Sequence, residues 1–336
     1  MATWPILATL PPDVQVLEGT VGVLAVRASC RADVLAAGFG PDGGERLEGS
    51  DLSGRTRLDQ LPLTDGRRGV VRRFTHGGLV RVVTGERYAN PERPFHELCL
   101  STRLREAGIA TPEVLAARAV RAKPFGWNLA LVSVRVENVS DWAVHMESWR
   151  VGEGDLVAWR AAVAAVGETI GRLHSLGFEH ADLHPRNLLL DVDVLHLGPL
   201  DADGGGPPVV HVIDLDRSRF HARMGDRQRR RNLARFWRAV RKREDRGAAF
   251  LTRADVLRFL RGYERGLAFQ EGRLIAPPDW RAEWRGVRRQ AGLTGWIHGL
   301  GWKVGRLFGR GPEARDGAAV VRSAPLSGTP AEHRAK

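Results

Sequence analysis

An aspartate, an asparagine five residues later and a second aspartate after an apolar run constrain this chain more than any other feature. Asp182 and Asn187 lie in the run His-Ala-Asp-Leu-His-Pro-Arg-Asn, which continues into three leucines, and Asp214 ends the run Val-Val-His-Val-Ile. Asp182 can take or orient the proton of an attacking hydroxyl, while Asn187 and Asp214 offer hard oxygen ligands to magnesium ions that bridge nucleotide phosphates. The layout predicts a phosphoryl-transfer site in which Asp214 is the metal-binding aspartate of a kinase.

The composition is that of a folded domain with a basic balance of charge. The chain has 336 residues, of which 43% are hydrophobic and 27% are charged. This length suits one two-lobed domain or two small ones and is ample for a core, so global disorder is excluded. The 51 Lys and Arg residues exceed the 39 Asp and Glu residues and give a net charge of +12. Anionic partners are therefore favoured, among them nucleotides, phosphosugars, acidic lipid head groups and nucleic acid.

Cysteine content and hydropathy predict a cytoplasmic protein. Cys30 and Cys99 are its two cysteines, which provide neither a disulfide framework nor a metal-binding cluster and fit a reducing compartment. The N-terminus lacks a basic region followed by a long apolar run, and no stretch reaches the roughly 18 apolar residues of a membrane span. Attachment to a membrane surface stays open.

Residues 1–63 carry no recognisable chemistry. Val14 to Leu17 and Val21 to Val26 are expected to form strands, and residues 38–54, rich in Gly, Asp and Ser, are expected to form a loop. We interpret residues 1–63 as an N-terminal extension that adds strands to the edge of the following lobe.

A glycine-containing turn opens the next segment. Gly66 and Gly69 lie in the run Asp-Gly-Arg-Arg-Gly, which leads into the strand-like residues 70–74. Small residues in such a turn let backbone amides approach phosphate groups, so Gly66 and Gly69 are predicted to bind the nucleotide. The turn alone is not specific, because any β-hairpin can carry one.

Arg72 is predicted to face the nucleotide as the partner of Glu97. Neighbouring strand residues point to opposite faces of a sheet, so only one of Arg72 and Arg73 can face the cleft. In a kinase small lobe, a basic strand residue pairs with an acid on a helix and is thereby directed at the α and β phosphates. An arginine departs from the lysine usual in protein kinases, but it keeps its charge and can bind phosphate through two hydrogen bonds. The alternative is that both arginines are surface charges.

The remaining pattern predicts a hinge and two long helices. The helix that carries Glu97 should begin after Pro94 and end near Gly108, and the hinge should lie at residues 133–137, where backbone groups would hold adenine. A second helix is predicted from Leu156 to Leu176. Its buried stripe consists of Leu156, Trp159, Val163, Val166, Ile170 and Leu173. Residues 191–208 are expected to form an enlarged surface loop.

Two basic segments follow Asp214. Residues 225–243 predict a helix with a solvated, arginine-rich outer face, although Arg229, Arg230 and Arg231 could instead meet an anionic acceptor or a membrane. Residues 280–308 mix Trp with Arg and Lys, which suits the interface of an anionic membrane as well as ordinary packing. Residues 309–336 are expected to form a disordered tail.

Several runs together resemble the lipopolysaccharide core kinases, the family that contains Kdo kinase and the core heptose kinase. The main ones are residues 180–190, His-Ala-Asp-Leu-His-Pro-Arg-Asn-Leu-Leu-Leu, and residues 212–217, Val-Ile-Asp-Leu-Asp-Arg. Weaker agreement is found at residues 71–74 with 77–80, 94–97, 232–235 and 262–263. The resemblance extends from residue 64 to residue 267. His184-Pro185-Arg186, the long loop after Asp191 and the extended termini depart from the family and leave the acceptor sugar open.

The resemblance implies an α+β, bilobal, protein-kinase-like fold with a small β-rich N-lobe at residues 64–135 and a mainly helical C-lobe at residues 136–308. It also implies transfer of phosphate from ATP, with Mg²⁺, to a sugar hydroxyl of the lipopolysaccharide inner core, on the cytoplasmic face of the inner membrane. By this resemblance Asp182 is the catalytic base, Asn187 and Asp214 hold magnesium, and Arg72 with Glu97 positions the phosphates.

Two other classes of protein remain as alternatives. A small-molecule kinase of the aminoglycoside or choline type shares the Asp, Asn and Asp layout, but it would line its acceptor site with acid to bind cationic substrates. A pseudokinase or a nucleic-acid-binding scaffold would use the basic surface, yet Asp182, Asn187 and Asp214 are all present and no recognised nucleic-acid-binding motif accompanies the charge. No specific nucleic-acid partner is therefore predicted.

Overall fold

The chain folds into a β-rich part followed by a mainly helical part. The structure, a computed structural model, describes residues 4–44, 47–49, 58–75, 87–150, 156–191, 208–245, 251–270, 284–287 and 289. The predicted loop at residues 191–208, the Trp-rich residues 280–308 and the predicted tail at 309–336 lie outside the described residues, except for residues 191, 208, 284–287 and 289.

The β-rich part is built on an antiparallel sheet of seven described strands. They are β1 (Val14–Glu18), β2 (Gly22–Arg27), β3 (Glu48–Gly49), β4 (Asp59–Pro62), β5 (Arg68–Arg73), β6 (Val114–Arg121) and β7 (Trp127–Val134). Their order across the sheet is β1-β2-β6-β7-β5-β4-β3. The two strands predicted near the N-terminus are present, whereas β3 lies within residues that we expected to form a loop. The first four strands precede residue 64 and share one sheet with the three that follow it.

Both faces of this sheet are covered, because successive side chains of each strand enter different cores. On one face, Leu24 of β2 and Val71 of β5 pack near the short helix α1 (Arg31–Ala36). On the other face, Ala25 and Leu131 pack with Phe95 of helix α2 (Arg93–Glu106). Helix α2 therefore lies against the face of the sheet that carries Arg72.

Helix α2 begins and ends close to the predicted positions. It begins at Arg93 rather than after Pro94, because proline fits the first turn, where an amide hydrogen has no partner within the helix. Gly108 follows the last turn with φ +75°, a left-handed conformation that glycine adopts without a steric penalty. The helix thus holds Glu97 in its second turn and ends before the chain turns back into β6.

The helical part contains the second set of elements. Its helices are α3 (Trp142–Arg150), α4 (Leu156–Ser175), α5 (Asp226–Glu244) and α6 (Arg253–Leu267). Its short strands are β8 (Val139–Asp141), β9 (Phe178–Glu179), β10 (Leu188–Asp191), β11 (Val210–Val212) and β12 (Arg219–Phe220). Strand β10 pairs with both β8 and β11, and β12 pairs with β9. No described helix is long and apolar enough to cross a bilayer.

Helix α4 packs its apolar side into the core of the helical part. The predicted stripe is buried at Trp159, Val163, Val166, Ile170 and Leu173, but Leu156 is 46% exposed. The prediction for Leu156 was wrong because this residue begins the helix, where its side chain extends past the core. The helix ends at Ser175, one residue before the predicted end.

Glycines let α4 and α6 approach closely. A Cβ atom at Gly167 would lie 2.1 Å from the carbonyl oxygen of Phe259, and one at Gly262 would lie 2.1 Å from the carbonyl oxygen of Ala164. Any larger residue at either position would push the two backbones apart. This close packing brings the end of α4, with His174, next to Tyr263 of α6.

Candidate active site

The loop that follows β9 carries Asp182, and a buried histidine fixes its backbone. His180 is fully buried, its Nε2 lies 3.0 Å from the carbonyl oxygen of Ile213, and its Nδ1 accepts the amide hydrogen of Asp182 at 3.2 Å. A carbonyl oxygen only accepts and an amide only donates, so the proton of the imidazole must lie on Nε2. Burial lowers the pKa of His180, which favours this neutral form.

The side chain of Asp182 lies at the surface beside a second histidine. Its exposed fraction is 56%, and its Oδ2 lies 3.4 Å from Nε2 of His184. The Nδ1 of His184 accepts the amide hydrogen of Arg186 at 3.2 Å, so Nε2 carries the proton that points to Asp182. His184 therefore lowers the pKa of Asp182. The carboxylate is ionised and exposed, and it can accept a hydrogen bond from a hydroxyl group.

Asn187 and Asp214 come together because β10 and β11 are paired. Asn187 immediately precedes β10, Leu188 lies opposite Val212, and the amide of Ile213 donates to the carbonyl oxygen of Asn187 at 3.0 Å. The side-chain amide of Asn187 donates to the carbonyl oxygen of Asp182 at 2.8 Å. These contacts link all three predicted residues through the backbone. The Oδ1 of Asn187 and the carboxylate of Asp214 are hard oxygen donors of the kind that Mg²⁺ prefers.

Arg72 joins the β-rich part to Asp214. Its Nη1 lies 2.6 Å from Oδ1 of Asp214, and its Nη2 contacts Oε2 of Glu97. Burial opposes the charge on Arg72, but the carboxylates of Glu97 and Asp214 raise its pKa, so the guanidinium stays protonated. Burial raises the pKa of Glu97, and Arg72 opposes that rise. The predicted ion pair of Arg72 and Glu97 is present, and its role in phosphate positioning stays a prediction.

The structure does not bring Gly66 or Gly69 together with this cluster. Gly66, with φ +83°, lies in the turn between β4 and β5, at the opposite end of β5 from Arg72. Gly69 lies within β5, and a Cβ there would touch Leu61 and Val132 in the core on the other face of the sheet. The sequence suggested a phosphate-binding turn because it showed the glycines but not the order of the strands. The contact of Gly66 and Gly69 with phosphate stays a prediction.

A second acidic residue near the site escaped the sequence analysis. Asp216 accepts hydrogen bonds from two nitrogens of Arg93, one of them Nε at 3.0 Å, and so ties the segment after β11 to the start of α2. Asp214 itself has a left-handed backbone, with φ 58°, a conformation that Asp tolerates better than most residues. The Asp-Leu-Asp spacing could have indicated that two carboxylates flank this turn, but their separate partners could not be read from it.

A buried series of hydrogen bonds connects the Asp182 loop to helices α5, α4 and α6. The Nδ2 of Asn232 in α5 donates to the carbonyl oxygen of His180 at 2.8 Å, and its Oδ1 lies 3.1 Å from Nε2 of His174. The hydroxyl of Tyr263 lies 2.8 Å from Nδ1 of His174. Burial lowers the pKa of His174 to about 4, so the imidazole is neutral near pH 7. One of its two nitrogens therefore donates a hydrogen bond and the other accepts one.

We expect Asn232→Ala to lower the free energy of unfolding by about 2 kcal/mol or more. The change leaves the carbonyl oxygen of His180 and Nε2 of His174 buried without partners, and each costs about 1–3 kcal/mol. Tyr263→Phe removes only the outer hydrogen bond and should cost about 1 kcal/mol. Urea unfolding of both variants tests this, and equal stability of wild type and Asn232→Ala would contradict the role of this series of hydrogen bonds.

Glu179 in β9 anchors the basic helix α5. Its carboxylate accepts hydrogen bonds from His221 at 2.8 Å, Arg231 at 2.9 Å and Arg219 at 3.1 Å. Burial would raise the pKa of Glu179, but these donors lower it to about 2. Arg231 is therefore bound within the protein, and Arg229 contacts Asp226 of its own helix.

The Glu179 cluster predicts a loss of stability in acid. Because the folded pKa lies below the usual 4.5, the contribution of Glu179 is present above about pH 4.5 and is lost as the pH falls towards 2. Glu179→Gln should lower the free energy of unfolding by about 1–2 kcal/mol near neutral pH, since Arg219 and Arg231 are solvent-screened. The difference should shrink at about pH 3. Urea unfolding of both proteins at the two pH values measures it, and a constant difference would contradict the assignment.

The two-part fold and the site together define a protein-kinase-like phosphotransferase. An ion pair from the sheet and α2 contacts Asp214 of the helical part, and Asp182 and Asn187 lie together in one loop. Protein kinases use residues of these types. The chain belongs to the lipopolysaccharide kinase (Kdo/WaaP) family, whose family model matches residues 63–263. The enzyme is thus a phosphotransferase that acts on a sugar hydroxyl, and the family resemblance deduced from the sequence is confirmed.

Two relatives of this chain are named as kinases of 3-deoxy-D-manno-octulosonic acid (Kdo). The 3-deoxy-D-manno-octulosonic acid kinase of Xanthomonas axonopodis pv. citri is 34% identical over 207 residues, which cover 58% of this chain and 73% of that protein. The kinase of the same name from Actinobacillus succinogenes is 27% identical over 198 residues, covering 58% of this chain and 74% of that protein. A solved structure of WaaP in complex with acyl carrier protein is 25% identical, covers 73% of this chain and 89% of that chain, and has a TM-score of 0.47.

Proposed function

We propose that this kinase transfers the γ-phosphate of ATP, with Mg²⁺, to a hydroxyl of Kdo or heptose in the lipopolysaccharide inner core. The observation that carries the proposal is the contact of Arg72 with both Glu97 and Asp214, beside the loop of Asp182 and Asn187. This set combines a base, oxygen ligands for a metal and a fixed cation for phosphate, which are the parts that kinases use. The names of the relatives support an inner-core acceptor.

In this proposal Asp182 orients the acceptor hydroxyl and accepts its proton. The carboxylate is exposed, and hydrogen bonds through His180 and Asn187 hold its backbone in place. Its low pKa keeps it ionised, so it binds the hydroxyl before transfer and takes the proton as the bond to phosphorus forms. His184, whose Nε2 lies 3.4 Å from Oδ2 of Asp182, stabilises the ionised carboxylate.

Asn187 and Asp214 would hold magnesium, and Arg72 would bind the nucleotide phosphates. Magnesium, when bound, neutralises charge on the phosphate oxygens. Arg72 has one nitrogen on Glu97, which holds the guanidinium in place, and one on Asp214, which an arriving phosphate would have to share or replace. Glu97 thus positions Arg72 and does not contact the nucleotide itself.

We also propose that the enzyme works as a peripheral protein on the cytoplasmic face of the inner membrane. A lipid-linked acceptor requires the site to reach the membrane surface. The net charge of +12 favours contact with anionic lipids. The basic side of α5 supplies part of this charge among the described residues.

The test is transfer of labelled γ-phosphate to a panel of acceptors. The panel holds lipid A that carries Kdo, a longer heptose-containing core and an aminoglycoside mixture, each with Mg²⁺ and with a chelator. We expect magnesium-dependent label on the lipid-linked sugars and transfer slower by about 10²-fold or more with Asp182→Asn. Label only on the aminoglycosides would overturn the proposal of an inner-core acceptor and would make the enzyme a small-molecule kinase. No label on any acceptor, with intact nucleotide binding, would overturn the catalytic proposal.

A further inference from the structure

Helix α5 runs beside the catalytic loop, and two consecutive residues of the helix contact the chain just before Asp182. Arg231 contacts Glu179 at 2.9 Å, and Asn232 donates to the carbonyl oxygen of His180 at 2.8 Å. The helix also contacts the turn at Pro185–Asn187. The side of α5 that carries Asn232 therefore faces the loop that carries Asp182.

Arg235 lies on this same side of the helix, one turn after Asn232, because residues three apart are neighbours on a helix surface. Its side chain is half-buried on the side of α5 that carries Asn232. In the described part of the chain, Arg235 has no carboxylate partner and no hydrogen-bond acceptor. Its neighbour Arg238 has a lowered pKa through burial and the charge of Arg235.

This cation is costly in the free protein. A half-buried charge without an ion-pair partner loses part of its hydration, and a second arginine nearby increases this cost. Other arginines of α5 avoid this cost, since Arg231 and Arg229 are paired with carboxylates. An arginine that lacks a carboxylate partner within the described residues is available to bind an anionic ligand beside the proposed active site.

We propose that Arg235 binds the carboxylate of an acidic acceptor sugar and so determines which sugar the enzyme accepts. The inference rests on the proposed function of Asp182. A carboxylate that pairs with Arg235 would place a hydroxyl of the same sugar ring against Asp182, because a guanidinium binds carboxylate in a fixed planar geometry. A neutral heptose offers no such group. Arg235 therefore selects the acid, Kdo, over heptose.

A γ-phosphate of the nucleotide is the other anion that could reach Arg235, so the test separates the two sources. Steady-state kinetics are measured for wild type, Arg235→Gln, Arg235→Lys and the control Arg227→Gln, which removes an exposed charge from the same helix. The acceptors are a Kdo glycoside and the same glycoside with its carboxylate reduced to an alcohol. Urea unfolding and nucleotide binding are measured for each variant.

We expect Arg235→Gln to lower kcat/KM for the Kdo glycoside by about ten- to hundredfold, the usual loss for a hydrogen-bonded charge, with an unchanged KM for ATP. Wild type should lose a similar factor on the reduced glycoside, on which Arg235→Gln should lose little more. Arg235→Lys should fall in between, and Arg227→Gln should match wild type.

Three outcomes would overturn the proposal. A raised KM for ATP in Arg235→Gln would assign the anion to the nucleotide, and equal losses on both glycosides would show that the carboxylate is not the partner. Transfer by wild type to a heptose core but to no Kdo acceptor would reject the role of Arg235 and leave the kinase assignment intact. Absence of transfer to every core sugar would reject the proposed function itself.

Discussion

Asp182→Asn should lower kcat for phosphoryl transfer by about 10²- to 10⁴-fold, the usual contribution of a positioned acid or base. An amide cannot take the proton of the acceptor hydroxyl. The loop should keep its shape, because the contacts that fix it use the backbone of Asp182: its amide donates to His180 and its carbonyl oxygen accepts from Asn187. Nucleotide affinity should therefore stay near the wild-type value.

Two measurements on the same preparation separate this loss from a folding defect. Nucleotide binding is titrated with magnesium present, and single-turnover transfer is followed with labelled ATP. Asp226→Asn is the matched control, because Asp226 is an exposed aspartate at the start of α5 that pairs with Arg229 of its own helix. Wild-type turnover by Asp182→Asn would show that another group takes the proton.

The sequence predicted those parts of the site that depend on short-range spacing. Asp182 and Asn187 belong to one loop, and Asp214 ends the apolar run that pairs with the strand after Asn187. Strand alternation predicts that only one of Arg72 and Arg73 faces the cleft, and the structure places Arg72 on Glu97, whereas Arg73 contacts Asp59. In each case one local rule of geometry decides the outcome, so one sequence was enough.

Features that depend on long-range packing could not be predicted. The chain of Asn232, His174 and Tyr263 joins three helices, and each of its residues alone looks like an ordinary polar residue of a helix. Gly66 and Gly69 had the composition of a phosphate-binding turn. Their position toward the opposite end of β5 from Arg72 follows from which strands pair with β5, and that is a property of the whole sheet.

The ion pairs of α5 also depend on long-range packing and could not be predicted. Its spacing predicted an amphipathic helix with a basic outer side, and the helix is present. Which arginines are compensated depends on acids elsewhere in the chain, above all Glu179, which lies 52 residues before Arg231 and binds it. Only the folded structure distinguishes Arg231, which is paired, from Arg235, which is not paired within the described residues.

Asp214 and Asp216, the carboxylates on either side of Leu215, have different partners and different roles. Asp216 is held by two nitrogens of Arg93, so its charge is used to connect the segment to α2. Asp214 shares one oxygen with Arg72 and is 41% exposed, which leaves it able to bind a further cation. Because Arg72 is also held by Glu97, a ligand at Asp214 and the orientation of α2 are linked through one guanidinium group.

Asp214→Asn should therefore lower kcat/KM by about 10²-fold or more and raise the magnesium concentration needed for half-maximal activity. A metal contributes several kcal/mol to stabilising phosphoryl transfer, and each 1.4 kcal/mol corresponds to about tenfold in rate. The amide that replaces Asp214 can still accept from Arg72, so the fold should survive, but its neutral oxygen binds Mg²⁺ more weakly than a carboxylate does.

Asp216→Asn is the matched comparison, because it removes the same charge two residues away. It should weaken the contact with Arg93 and leave the magnesium dependence unchanged. Activity is measured over a magnesium titration at saturating ATP for wild type and both variants. A shift of the midpoint in Asp216→Asn but not in Asp214→Asn would exchange the two roles. The metal would then bind at the carboxylate that Arg93 holds, and Arg93 would have to release Asp216 during each catalytic cycle.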